Sequence, residues 1–501
     1  MRFRSNHSTG SREAGRDSAV AAKLKKALTQ HQKGNLREAR SVYQQVLKLE
    51  PANVDALHLL GVVAYQTKKP SEAVDLIDRS IAMGQANPAA YNNRGMALLD
   101  LKRFEDALES FDQAMRLQPN NPDLLNNRGR TLNELKRSDE ALDAFDRALK
   151  VAPDHLQTHN NRGVTLQSLR RFDEALQSFE RALKLKPDYA ECYWNLAQYY
   201  FLTGDFARAW ELHAWRPSIR RTNHAYARHR RSAPLPADLI GQHVLVVGEQ
   251  GLGDELFFLR FVPGLRERGA RVTYLADRRL VPMLERAEIV DRVLSSDGKP
   301  GASDIQLMAG DLPWLLGAGQ DDIPPPFPIP PLAKLVAEFR TRLETFGPPP
   351  YIAVTWRAGS GSVRTLFKEV PLDRLAGVVA PLDARLVAIQ RLPEEGEIAS
   401  LERAAGRPVQ DLSAANSDLE AMLALMSLFD RYITVSNTNL HLCAACGRPC
   451  YVLVPSPPEF RWMAGGEESP WFPGYRVYRQ EPTGDWSRAL DRLATDQKTD
   501  W

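Results

Sequence analysis

The sequence predicts an all-α helical-repeat solenoid followed by a pair of α/β domains. A period of 34 residues through the first 216 positions carries the first half of that prediction. The second half rests on a change of rhythm near residue 242, where apolar β-like runs begin to alternate with amphipathic helical stretches. The proline-rich stretch "IPPPFPIPP" and the later "PPP" then divide that region in two. With 501 residues, 43% of them hydrophobic, the chain suffices for about three domains with cores of their own.

In the repeat region, steps of 34 from Ala27 reach Gly61, Gly95, Gly129, Gly163 and Ala197. Twelve positions further on, the same step gives Ala39, Ala73, Ala107, Ala141, Ala175 and Ala209. Small residues at both places let antiparallel helices approach closely, while Tyr43, Phe111, Phe145 and Phe179 are expected to fill the gap between neighbouring pairs. Pro51, Pro119, Pro153 and Pro187 end each unit, because proline cannot continue a helix. The pattern resembles the tetratricopeptide repeats over residues 20–216, as six helix pairs stacked into a solenoid with a concave groove. The preceding residues 1–19 are polar and basic and are expected to be disordered.

Three repeats contain "YNNRG", "LNNRG" and "HNNRG", which put Asn93, Asn127 and Asn161 in phase, with Asn195 following. These amides either hydrogen-bond between helices or form a ladder that grips the backbone of an extended peptide.

A net charge of +3 does not by itself favour nucleic acid or membrane as partner. No apolar run is long enough to span a membrane, so a cytoplasmic protein is expected. Residues 217–241 form a basic linker that follows Arg216 and contains arginines at 220, 221, 228, 230 and 231. With no aromatic interleaving or nucleic-acid module beside them, they read as a solvated or domain-packing connector.

Residues 242–347 read as one Rossmann-like domain, with strands "HVLVVGE", "RVTYLAD" and "VDRVLSS". Residues 348–501 read as a second, with "YIAVTWR", "RLVAIQR", "RYITVS" and "CYVLV". Folds of this kind bind ligands at the carboxyl ends of their strands. In the first, Gly248, Gly251 and Gly253 are spaced G-x-x-G-x-G, which is not the G-x-G-x-x-G turn that cradles a dinucleotide. Asp277 ends the second strand where a ribose-binding acid would sit, so a nicotinamide enzyme stays open. Asp254, at a helix N-terminus, would repel a pyrophosphate and suits a catalytic base, or simply a helix cap.

Phosphate fits the second domain better. "SNTNLH" runs from a strand into a helix, and its Ser436, Asn437, Thr438, Asn439 and His441 would leave N–H groups facing a diphosphate. Arg357, Arg364 and Lys368, after the strand "YIAVTW", would add positive charge. No Asp-x-Asp follows residue 242, so a metal held on the diphosphate is not expected.

Three segments, "GEQGLGDELFFLRFVPGLRERGARV", "VSNTNLHLCAACGRP" and "PPEFRWMAGGEESPWFPGYRVYRQ", together resemble the bacterial tetratricopeptide-repeat glycosyltransferases, whose catalytic half is related to the lipopolysaccharide heptosyltransferases. The resemblance implies a two-Rossmann GT-B fold and metal-independent, inverting transfer from a nucleotide sugar to a protein Ser or Thr held by the repeats. It also implies that Asp254 is the base, beside Gly251 and Gly253, and that Ser436 to His441 bind the diphosphate. Those relatives carry an aspartate at the position of Ser436. They have small apolar residues where this chain has Cys443, Cys446 and Cys450, which points to helix packing rather than a metal site. No cofactor is implied beyond the nucleotide-sugar substrate. The competing expectation is a scaffold in which the repeats bind partners and the α/β half is a degenerate nucleotide-binding domain.

Overall fold

The computed structural model describes residues 8–84, 87–217, 235–249, 251–319, 322–358 and 369–499. Lys368, Arg364 and the linker arginines at 220, 221, 228, 230 and 231 lie outside them. The chain divides into two compact units: residues up to 167 with 173–187, and residues 168–172 with 188 onward. No helix among the described residues is long and apolar enough to cross a membrane.

Twelve helices in six pairs make up the repeat region: α1 (Ser8–Gln32), α2 (Leu36–Leu49), α3 (Val54–Gln66), α4 (Pro70–Met83), α5 (Pro88–Asp100), α6 (Phe104–Leu117), α7 (Pro122–Glu134), α8 (Ser138–Val151), α9 (Leu156–Ser168), α10 (Phe172–Leu185), α11 (Ala190–Thr203) and α12 (Phe206–Leu212). Helix α1 starts at Ser8, which corrects the expected disorder for residues 8–19. Arg12, Glu13, Ala14, Arg16 and Ala19 are strong helix formers there and extend the helix ahead of Val20.

Three of the helix starts and the turns within the pairs recur with the period. Asn53, Asn87 and Asn121 are N-caps, accepting from the N–H groups of Ala56, Ala89 and Asp123 at 2.9, 2.9 and 3.0 Å. The turn within each pair passes through a left-handed residue: Gly34, then Lys68, Lys102 and Lys136 at φ near 60°. Pairs close on a glycine. A Cβ at Gly95, Gly129 or Gly163 would stand 2.7, 2.5 and 2.6 Å from the rings of Phe111, Phe145 and Phe179. The aromatic therefore fills the gap inside its own pair, sixteen residues after the glycine, rather than the gap between pairs.

The second unit contains two sheets. Strands β1 (His243–Val247), β2 (Arg271–Ala276), β3 (Arg292–Ser295) and β4 (Ile305–Met308) pair in parallel in the order β3-β2-β1-β4. The larger sheet has β5 (Tyr351–Thr355), β6 (Arg385–Ala388), β7 (Val409–Asp411), β8 (Arg431–Val435), β9 (Cys450–Val454), β10 (Glu468–Ser469) and β11 (Phe472–Arg479). Its order is β10-β11-β9-β8-β5-β6-β7, parallel except between β10 and β11. Strand order reverses beside β1 in the first sheet and between β5 and β8 in the second, and such switch points open a crevice at the strand ends.

Helices α11 and α12 belong to this second unit. Trp210 is buried against Phe258, Phe261, Phe460 and Trp471, and the Ala464 N–H donates to the Leu202 carbonyl at 3.0 Å. Arg216, which immediately precedes the expected linker, is 1% exposed and donates to Glu249 and to Asp311 at 2.6 Å. It packs rather than solvates, so the repeat region from residue 188 on is built into the α/β core.

Candidate functional site: a cleft between two switch points

The loop after β1 leads into the helix Leu252–Leu259, and the loop after β8 leads into the helix Thr438–Ala445. Both start at switch points, and they meet. A Cβ on Gly253 would stand 3.2 Å from the His441 ring and 3.8 Å from the Thr438 Cα, so only a very small residue lets the two helices approach this closely. Gly248 serves a different packing need, because a Cβ there would collide with the Glu255 carboxylate at 1.9 Å. Burial pushes the Glu255 carboxyl up to about 7, although it accepts from the Asp277 N–H at 3.0 Å.

The meeting point opens as a cleft of about 380 Å³, lined by Gly251, Leu252, Gly253 and Asp254 from one loop and by Ser436, Asn437, Thr438 and His441 from the other. Arg279, Arg391, Glu459 and Arg461 complete it. The structure therefore brings together Asp254 and six of the predicted residues, Gly251, Gly253, Ser436, Asn437, Thr438 and His441.

Most of these side chains already have partners. The Asp254 carboxylate accepts from Arg461 Nη2. Ser436 donates to Glu459 at 2.6 Å. Asn437 caps its helix by accepting from the Leu440 N–H at 3.2 Å, and its Nδ2 donates to Thr434 at 2.9 Å and to the Tyr432 hydroxyl at 3.2 Å. Asn439 turns away to Asn416, at 2.9 Å, and does not line the cleft.

Arg357 is also absent from the lining. It is buried and makes a two-pronged ion pair with Glu397, at 3.0 and 2.8 Å, and donates to the Leu392 carbonyl at 2.9 Å. Asp277 binds Arg279 in the same two-pronged way, at 2.9 and 2.8 Å, outside the lining.

Positive charge in the cleft comes instead from Arg279, Arg391 and Arg461, which the sequence reading does not single out. Arg391 is exposed, and its guanidinium has no ion-pair partner among the described residues. Arg461 is buried against the perpendicular rings of Phe257 and Phe460, at 4.7 and 4.6 Å from their centres. Neighbouring Arg260 lies over the Phe257 and Phe472 rings and donates to the Trp471 carbonyl at 2.5 Å; burial, with Arg461 nearby, pushes it down to about 9. A signal for Arg461 was present in the sequence, since it opens the tryptophan-rich segment Arg461 to Gln480.

Among the described residues no three His, Cys, Asp or Glu side chains gather to hold a metal ion. Cys443 and Cys450 are buried thiols, and Cys446 is partly buried.

In the first unit the asparagines are linked. The Nδ2 of Asn127 donates to Asn92 at 3.0 Å and that of Asn161 to Asn126 at 2.9 Å, while the Nδ2 of Asn93 meets His58 Nε2 at 2.9 Å. Each spans 35 residues and so joins one repeat to the one before it. The arginine after each asparagine pairs backwards as well: Arg94 with Asp78, Arg128 with Asp112 and Arg162 with Asp146. Asn195 lies on α11, in the second unit.

Tetratricopeptide-repeat family models match residues 24–90, 87–154, 120–188 and 154–215. Residues 24–215 are tetratricopeptide repeats. Protein FlbA of Caulobacter vibrioides is 26% identical over 284 residues, 52% of this chain, which spans about half (46%) of that relative's length. Solved structures similar to the repeats include MamA, at 22% identity with a TM-score of 0.31, covering 33% of this chain and 96% of that one. A second is PilF of Pseudomonas aeruginosa, at 21% identity and a TM-score of 0.36, covering 43% of this chain and 97% of the other. YrrB, described as a tetratricopeptide-repeat protein with an unusual peptide-binding site, is 22% identical with a TM-score of 0.32, over 35% of this chain and 95% of its own.

Proposed function

We propose that the α/β half is a metal-independent, inverting glycosyltransferase of GT-B type and that the repeats hold its protein acceptor. One observation carries the reading: a carboxylate at one switch point and a helix N-terminus at the other share a cleft with three arginines. Asp254 takes the proton of an acceptor Ser or Thr hydroxyl, and the oxygen forms a bond to the anomeric carbon from the face opposite the leaving group. The bond from that carbon to the diphosphate breaks, and the departing charge falls on the helix Thr438–Ala445 and on Arg279, Arg391 and Arg461. Arg357 takes no part, since it does not line the cleft and is turned to Glu397.

The amide row supports acceptor binding in the repeats. Anchoring each Nδ2 to the preceding repeat fixes the orientation of Asn93, Asn127 and Asn161, leaving their carbonyl oxygens to accept from a peptide backbone.

A second reading, a scaffold with a non-catalytic α/β half, is favoured by one feature of the cleft. Glu459, which accepts from Ser436, puts a carboxylate where the diphosphate would lie.

The test is thermal stabilisation of the full chain by a panel of sugar nucleotides, with NAD as control, followed by transfer of labelled sugar to candidate proteins. Stabilisation by one nucleotide family, with transfer lost in Asp254→Asn and binding retained, supports the transferase. Protein binding by the repeats without stabilisation by any sugar nucleotide leaves the scaffold.

A further inference from the structure

We propose that the diphosphate of the donor competes with Asp254 for the guanidinium of Arg461, so that donor binding is what releases the base. The identity of the diphosphate rests on the transferase reading; the competition rests on the geometry of Arg461.

The Arg461 side chain is 9% exposed, and its Nε is buried without a hydrogen-bond partner. Only Nη2 reaches the Asp254 carboxylate. A guanidinium is a planar fork that is best satisfied by two acceptor oxygens at once, so this one is left half-used by its present partner. A diphosphate offers several oxygens and can meet both prongs, which one oxygen of Asp254 does not.

The arginine is the fixed member of the pair. Its guanidinium packs against the T-shaped pair of Phe257 and Phe460 rings, and its backbone carbonyl accepts from Ser469 at 2.5 Å. The Asp254 side chain is 29% exposed, at the edge of the cleft, and has room to turn. Arg260, buried nearby and served by carbonyl oxygens, joins Arg279, Arg391 and Arg461, so that the cations outnumber the carboxylates of Asp254, Glu459 and Asp277. An incoming dianion therefore takes Arg461, and Asp254 swings free toward the acceptor. Until then the oxygen needed to remove the acceptor's proton is engaged, which sets an order of donor first and acceptor second.

The probe is inorganic pyrophosphate, titrated calorimetrically into the full-length wild type, Asp254→Asn, Arg461→Lys and the double variant, each checked for an unchanged melting transition. Arg461→Lys keeps the charge in the buried site while removing the fork. Competition predicts that Asp254→Asn binds pyrophosphate roughly tenfold more tightly than wild type, as expected when a close charged partner is removed. It also predicts that this gain shrinks to less than about threefold in the Arg461→Lys background, the signature of coupling between the two sites. Equal affinities in wild type and Asp254→Asn, a full gain that persists with lysine at 461, or no pyrophosphate binding in either protein would each overturn it. Pyrophosphate carries no sugar, so coupling seen without transfer from any sugar nucleotide would sink the transferase reading and leave this one standing.

Discussion

The ring of Phe145 lies against Gly129 so closely that a Cβ on the glycine would stand 2.5 Å from its Cε1. The same relation joins Gly95 to Phe111 and Gly163 to Phe179, so the first unit is a series of one lock repeated. Gly129→Ala is expected to lower stability by about 1–3 kcal/mol, because overpacking outweighs the gain in helix propensity. Urea unfolding followed by circular dichroism measures it. Adding Phe145→Leu should restore most of the loss, and failure of that rescue would show that the contact is not the cause.

Lys102 holds a left-handed backbone at φ 60° in the turn between α5 and α6, where the first pair of the array has Gly34. Such a conformation costs a side-chain-bearing residue roughly 1–2 kcal/mol, against glycine's larger loss of entropy on folding. Lys102→Gly should therefore raise stability, by about 0.5–1 kcal/mol. A lowered urea midpoint would mean that the lysine side chain contributes more than its backbone loses.

Arg216 is the sole described cation between Glu249 and Asp311, and all three side chains are no more than 2% exposed. Removing it takes the cation they share away from two buried carboxylates. Arg216→Met should destabilise the second unit by about 3–5 kcal/mol. Tryptophan fluorescence during unfolding will report it, since Trp210 and Trp471 sit in the same core. A loss under about 1 kcal/mol would refute the assignment of Arg216 as a keystone of that core.

Glu255 gives a pH prediction whose sign follows from burial. Its carboxyl is pushed up to about 7 in the folded protein, from 4.5. Below 4.5 it is protonated in both states, and between 4.5 and 7 the folded state binds the extra proton. Stability from this group is thus fully present at low pH and is lost as pH rises through 7, by a few kcal/mol. The difference in unfolding free energy between wild type and Glu255→Gln, followed from pH 4 to 8, should move in favour of the variant as pH rises. A difference that stays flat across that range would contradict the assignment.

The repeats were legible because a solenoid writes its contacts into a fixed period, and each of Gly95, Gly129 and Gly163 announces the next. Their partners were harder to read. Phe111 recurs at the same 34-residue interval whether it faces its own pair or the neighbouring one, so periodicity could not tell the two apart. Strands β1, β2, β5, β6, β8 and β9 were visible as apolar runs, whereas β7, with three residues, and the half-exposed β11 carried too little pattern. In the cleft, sequence order located Asp254 and Ser436 because each lies on the turn from a strand into the next helix. It misplaced Arg357, whose direction is decided by Glu397 forty residues later, and passed over Arg461, which reaches Asp254 across 207 residues. Pairings at such separations leave no local trace.

The burial of Trp210 beside Phe460 and Trp471 has a practical side for anyone who treats the two halves as interchangeable parts. A cut at the basic linker would strip the α/β body of α11 and α12 and open an aromatic face of the kind that drives aggregation. A graft that exchanges one repeat array for another should instead be joined ahead of residue 188, so that the last helix pair travels with the α/β body. Specificity could then be changed upstream, in the transplanted repeats, while the final pair stayed behind as a fixed adaptor.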